Sequence, residues 1–240
     1  MHSCEYCAMA LSTGSTTSQD TGPSRVMIVG ITGGMGAGKS AVCRVIKCLG
    51  HAVYDSDFHA KTLYDRDPEL LALVVQEFGQ DILMSNGELN RPALADHVFG
   101  SDSALAKLNS LVHPAVRRHF DHWAKRQKCA GQDCVFREAA VLFESGAHEQ
   151  CDFVCTVSAP ESIRLERVMR RNGMTKADVE QRMSRQWTDH QRAERADHVI
   201  VNDGTVPLVP QVVRFMDACL CLVTCLICLG TRTSLGGWVR

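Results

Sequence analysis

Gly33-Gly34-Met35-Gly36-Ala37-Gly38-Lys39-Ser40, set directly behind the apolar run Val26-Met27-Ile28-Val29-Gly30-Ile31, is the stretch that decides the fold. It fits the phosphate-loop pattern G-x-x-x-x-G-K-[ST], with a strand-like run before it and a helical pattern after it. Glycines let successive backbone N–H groups turn inward as a nest for phosphate oxygens, and the start of the next helix adds partial positive charge. Lys39 is placed to reach the β- and γ-phosphates of a nucleotide, and the Ser40 hydroxyl to ligate Mg²⁺. Downstream, Val42, Val45, Ile46 and Leu49 recur at helical spacing, and Gly50 stands where a left-handed cap ends a helix. Residues 33–40 are therefore the expected nucleotide-triphosphate site.

Working outward, apolar β-like runs recur at His51–Tyr54, Cys134–Phe136, Phe153–Val157 and His198–Val201, separated by helical patterns. Five such runs predict an α/β protein with a parallel five-stranded sheet flanked by helices, with ligands at the carboxyl ends of its strands. The helical stretch 58–132 is longer than one crossover needs and is expected to form a subdomain over the strand ends, the edge where ligands bind in open α/β sheets. Residues 25–57 and 133–217 then make the nucleotide core. Between the last two runs, Glu161–Arg171 and Lys176–Trp187 read as basic helices broken by Asn172-Gly173, a hinged lid at about 167–190. Arg167 and Arg171, four apart, share a helix face and are expected to meet phosphate, although Glu161 and Glu166 also suit a plain solvated face.

Asp55 and Asp57 follow the second run. In extended chain, residues two apart point the same way, so both carboxylates are expected to face the phosphate loop as proton acceptors or metal-positioning groups. Helix capping by Asp57 explains the spacing equally well.

Acidic residues number 27 and basic residues 26, so no global field favours nucleic acid or an anionic membrane. The twelve cysteines lack the spacing of a disulfide framework, and Cys4-x-x-Cys7 and Cys225-x-x-Cys228 lie at opposite ends. With no signal peptide visible, a cytoplasmic setting is expected. Residues 1–24 are polar and Gly/Ser-rich and read as a disordered tail. The apolar window 218–229 is too short to span a bilayer unaided, so a packed terminal helix is favoured over membrane or partner attachment, although no periodicity separates an inner from an outer face.

From about Met27 to Gly204 the chain resembles the dephospho-coenzyme A kinases. The resemblance is carried in order by Gly30–Ser40, Val53-Tyr54-Asp55-Ser56-Asp57, Gly87–Leu94 with Val98-Phe99, and Leu108–Pro114. Leu142-Phe143-Glu144-Ser145-Gly146, Gln186 with Arg192, Ala196-Asp197 and Asn202-Asp203-Gly204 complete it. It implies transfer of the ATP γ-phosphate to the ribose 3′-hydroxyl of dephospho-coenzyme A, with Mg²⁺ as cofactor and those two nucleotides as partners. Asp57 corresponds to the family's general base, Lys39 to its phosphate-clamping lysine and Arg171 to its lid arginine. Arg167 is assigned to ATP, and Asp55, Arg91, His113 and Glu144 to the acceptor, with the helical insertion 58–132 resembling the family's CoA-binding subdomain; surface pairing is an equal alternative for Arg91, and helix capping or packing for His113. One departure is Ala140-Val141-Leu142 where relatives read Pro-Leu-Leu, which leaves open whether Glu138 replaces the usual acidic residue. A kinase of another small hydroxylated metabolite is the alternative. A nucleotide-dependent switch ranks lower, since the Asn/Thr-Lys-x-Asp motif that reads a guanine base is not expected.

Overall fold

The computed structural model describes residues 25–98 and 100–229, with side chains as far as Val223. The expectations for residues 1–24 and for the Cys4/Cys7 and Cys225/Cys228 pairs, together with Phe99 of the resemblance, lie outside the described residues.

All five β-like runs become strands of one parallel sheet: β1 (Met27–Thr32), β2 (Ala52–Asp55), β3 (Cys134–Glu138), β4 (Phe153–Ser158) and β5 (His198–Val201), in the order β2-β3-β1-β4-β5. Apolar residues bury both faces of β1 and β3, as a parallel sheet covered on each side requires. The order sets β3 between β1 and β2, with Ile31, Glu138 and Asp55 in register across the three strand ends.

Helix α1 (Lys39–Cys48) buries Val42, Cys43 and Ile46, and Gly50 terminates it at φ 90°. On the same side of the sheet lies α9 (Leu208–Leu229), whose residues Val212, Phe215, Met216, Cys219 and Val223 join the core of β1, β3 and α1. The apolar window is thus the second half of a helix begun at Leu208. Its buried stripe is legible only when the turns before residue 218 are included, and the boundary at 217 falls inside the helix. Among the described residues no helix is long and apolar enough to cross a membrane. The described cysteines are all free thiols.

The insertion comprises α2 (Ser56–Arg66), α3 (Pro68–Phe78), α4 (Arg91–Val98) and α5 (Asp102–Cys129). Asp55, Asp67 and Ser101 cap α2, α3 and α5 by accepting from the N–H of Phe58, Leu70 and Ala104. Leu70, Val74, Leu94, Val112 and Phe120 form one cluster with Tyr54 of β2 and Val135 of β3, so the insertion is built directly onto a sheet face. Leu73, which the helical pattern would also place inward, is exposed.

In the lid, α6 (Glu161–Asn172) stops at Gly173, held at φ 64°, and α7 (Lys176–Met183) and α8 (Asp189–Arg195) follow. The helix expected to reach Trp187 ends at Met183. Tertiary hydrogen bonds take over there: the Gln186 side chain accepts from Met35 N–H and Trp187 N–H donates to Glu144.

Candidate active site

The phosphate loop turns between β1 and α1 with Gly38 as the left-handed N-cap at φ 100°. A Cβ on Gly34 would lie 2.2 Å from a guanidinium nitrogen of Arg164, so glycine lets that cation come down onto the loop. Lys39 Nζ donates to the carbonyls of Gly33 and Gly34, at 2.9 and 3.5 Å. Burial holds its pKa below the ordinary lysine value, while the charges of Asp57 and Glu138 oppose that shift. Asn202, in the turn after β5, donates from Nδ2 to Ala37 O at 2.8 Å. Arg167 donates to Asn202 O at 3.0 Å, which fixes it beside the loop.

Ser40 Oγ donates to Glu138 Oε1 at 3.0 Å. Glu138 is buried at the end of β3, and the Cys43 thiol one turn after Ser40 also hydrogen-bonds to it. Sequence reasoning left Glu138 open. The deciding signal is topological, because β3 inserts between β1 and β2 and brings this carboxylate next to the loop.

Asp55 and Asp57 do not share an extended strand, which corrects the alternation argument. β2 ends at Asp55, whose Oδ1 caps α2, and Asp57 sits in the first turn of that helix. Asp57 nonetheless faces Lys39 electrostatically. Desolvation pushes its pKa up, opposed by Lys39 and by a hydrogen bond from the Ala140 backbone N–H.

Asp57 also lines a cavity of about 670 Å³ between α2, α5 and the turn after β3, together with Lys61, His113, Arg117, Arg137 and Gln150. Burial and the nearby Arg137 lower the pKa of His113, which lies within α5 ahead of Pro114 and so is not a helix cap.

Three other expected residues lie elsewhere. Arg91 donates to Lys61 O and pairs with Asp65 at 2.9 Å, a surface tie between α4 and α2 outside the cavity lining. Glu144 accepts from Trp187 N–H and Arg192 and anchors the lid instead of lining the cavity. Arg171 is exposed in the last turn of α6, bonded to its neighbour Asn172, while Arg164 and Arg167 approach the loop. The lid is docked by Arg192, fully buried between Glu144 at 3.4 Å and Asp189 at 3.3 Å. Asp189 in turn accepts from Ser158 Oγ at the end of β4 and lies 3.8 Å from Arg164.

A Thr-Lys-x-Asp tetrapeptide does occur, at Thr175–Asp178, contrary to expectation. It forms the N-terminal cap of α7, with the Asp178 N–H donating to Thr175 and the Thr175 hydroxyl donating to Asp178 Oδ2 at 2.6 Å. Its aspartate is thus engaged by its own helix start.

Comparison with known proteins is decisive at this point: the family model described as dephospho-CoA kinase matches residues 27–207. The chain belongs to the dephospho-CoA kinase family. It is 42% identical over 193 residues to the dephospho-CoA kinase of Porphyromonas gingivalis, covering 80% of this chain and 94% of that protein. A relative of the same name from Bacteroides fragilis is 36% identical over 188 residues, covering 78% of this chain and 90% of the relative. Among solved structures, TT1252 from Thermus thermophilus superposes with a TM-score of 0.71 at 31% identity, over 82% of this chain and 98% of that one. The dephospho-CoA kinase of Campylobacter jejuni shares the fold at a TM-score of 0.59 and 22% identity, over 80% and 96%. In this dephospho-CoA kinase family member the matched span closes three residues past Gly204, the end of the resemblance read from sequence, and includes the loop, insertion and lid.

Proposed function

We propose that this enzyme transfers the γ-phosphoryl group of ATP to the ribose 3′-hydroxyl of dephospho-CoA, giving CoA and ADP. The observation that carries the reading is the position of Asp57, which lines the acceptor cavity and is at the same time a charge neighbour of the phosphate-loop Lys39. A group there sits between donor and acceptor.

In this reading the inward backbone N–H groups of residues 34–40 hold the ATP phosphates, and Lys39 leaves the Gly33 and Gly34 carbonyls to reach them. Arg164 and Arg167 close the loop from the lid side. A role for Arg171 requires α6 to move inward when nucleotide binds. Asp57 accepts the proton of the 3′-hydroxyl as the oxygen attacks phosphorus in line. His113 and Lys61 line the wall that holds the rest of the acceptor. Asp55 orients the start of α2, and with it Asp57, through its cap. Arg91 and Glu144 act through position alone, the first by fixing α4 on α2 and the second by docking the lid.

The hydroxyl of Ser40 and the carboxylates of Glu138 and Asp57 are hard oxygen donors, which suits Mg²⁺. The Ser40–Glu138 hydrogen bond shows two of these donors already converging. When bound there, the ion neutralises charge on the β- and γ-phosphates and helps orient them.

The test is an ADP-release assay with dephospho-CoA, run beside other hydroxylated acceptors. Dephospho-CoA is expected to be the preferred acceptor, and a better one of another class would sink the proposal. Asp57→Asn is expected to keep ATP affinity and lose at least about a hundredfold in kcat, the scale of general-base catalysis. Undiminished turnover would remove Asp57 from the base role.

A further inference from the structure

Strand β3 carries an arginine where its neighbours call for an apolar residue. Cys134 and Phe136 face the core shared with α1 and α9, whereas Val135 faces the insertion. Alternation sends Arg137 after Val135, into the layer beneath α2 and α5. There it is 3% exposed. Its Nε donates to Ser56 Oγ at 3.3 Å, one guanidinium nitrogen donates to Gln150 Oε1 at 2.6 Å, and its carbon lies 4.4 Å from the centroid of the Phe120 ring.

All three partners are neutral. Among the described residues no carboxylate forms an ion pair with Arg137; the Asp121 charge acts on it from longer range, with the side-chain amide of Gln150 bridging the two. A buried charge without a direct ion-pair partner is costly, and a ligand of opposite sign would offset that cost. Arg137 lines the acceptor cavity beside Lys61, Arg117 and His113. Of the two carboxylates lining that cavity, Glu149 lies 3.8 Å from Arg117, and Asp57 is the proposed base. The end of the cavity at Arg137 is therefore net positive. Ser56, which Arg137 holds, immediately precedes Asp57 in the chain, and Arg137 and Asp57 line the same cavity.

We propose that Arg137 is an anion-binding residue of the acceptor cavity. It takes the diphosphate of a nucleotide whose ribose hydroxyl lies at Asp57, and so selects phosphorylated acceptors over bare nucleosides. The inference rests on the acceptor reading above and adds a specificity residue to it. A guanidinium held in a fixed plane by Ser56, Gln150 and Phe120 is preorganised for phosphate oxygens.

The experiment measures kcat/KM with dephospho-CoA and with adenosine as acceptors, at saturating ATP, for wild type and Arg137→Gln. Glutamine keeps amide donors for Ser56 and Gln150 and removes the charge. The ratio of kcat/KM for dephospho-CoA to that for adenosine is expected to fall about tenfold to a hundredfold, the worth of one or two charge-assisted hydrogen bonds. A purely structural role lowers both values together, and an unchanged ratio overturns the proposal. If Arg137→Gln melts far below wild type, Arg137→Lys is used in its place. It retains the charge but not the fork, and is expected to give a reduced ratio; a wild-type ratio counts against the site. Calorimetric titration of dephospho-CoA into the ADP-loaded enzyme separates the two readings. Weaker binding to the variant in a protein that never transfers phosphate to dephospho-CoA sinks the proposed reaction and leaves the anion site standing. Equal binding to both sinks the anion site.

Discussion

Replacing Arg192 by methionine tests how the lid is held. Arg192 has no exposed surface and touches two carboxylates, Glu144 at 3.4 Å and Asp189 at 3.3 Å. Burial lowers its pKa and the two acids oppose that shift. Removing one partner of a buried ion pair costs about 3–5 kcal/mol when the abandoned charge stays dry. Three observations place this case near or below the bottom of that range. Glu144 and Asp189 retain 17% and 22% side-chain exposure, so water reaches them once the arginine is gone. Both contacts are longer than a strong charge-assisted bond, about 2.7–2.9 Å. Arg192 Nε and Glu144 Oε2 are buried without a partner among the described residues. A loss of about 2–3 kcal/mol is expected, lowering Tm by about 4–12 °C at 2–4 °C per kcal/mol for a domain of this size. Thermal melts by circular dichroism measure it, and Trp187, stacked on Phe143 with centroids 5.5 Å apart, reports lid docking by fluorescence. The double variant Glu144→Gln with Arg192→Met removes one of the two abandoned charges, so its loss should fall short of the sum of the single losses by about 1 kcal/mol or more. A single variant within 1 kcal/mol of wild type, or strict additivity, would refute a lid held by this pair.

Two further perturbations bear on the base and on the C-terminal helix. Ala140→Pro deletes the backbone N–H that hydrogen-bonds the Asp57 carboxylate and lowers its pKa. The pKa, already above the ordinary aspartate value through desolvation, should rise further, so the acid limb of the pH profile of kcat moves to higher pH; an unmoved or lowered limb contradicts the assignment. Ending the chain after Asp217 removes Cys219 and Val223 from the core against β1 and α1. Unfolding in urea should then show a loss of about 2–5 kcal/mol, and an unchanged midpoint would mean that the last turns of α9 contribute nothing.

The phosphate loop was legible because its chemistry lies within eight consecutive residues, and the five strands because each is a short apolar run bounded by polar turns. What escaped depends on partners distant in sequence. The two-residue spacing of Asp55 and Asp57 suggests an extended pair, but a cap costs only one hydrogen bond to satisfy, and Asp55 starts α2 before Asp57 is reached. Arg171 and Arg91 have the charge a phosphate site needs, yet α6 carries Arg164 and Arg167 to the loop first, and Asp65 is near enough to engage Arg91. Trp187 and Gln186 extend a helical pattern in the sequence, and leave the helix because Glu144 and Met35 offer better-placed partners 43 and 151 residues away.

Glu138 and Arg137 mark the limit most clearly. They are adjacent in a strand, and alternation alone predicts that they face opposite layers. Which layer holds the phosphate loop follows only from the order β2-β3-β1, which no local pattern encodes. Given that order, Glu138 falls beside Ser40 and Arg137 beneath the acceptor cavity. One strand end thus supplies a carboxylate toward the donor side and a cation toward the acceptor side. Moving this dipeptide by one register position would exchange those signs: the carboxylate would stand where acceptor phosphates are to bind and the guanidinium beside the Ser40 hydroxyl, repelling ligands of the charge each site must take. If Arg137 binds acceptor phosphate as proposed, the register of β3 constrains function as well as packing, because it decides which side of the sheet receives each charge.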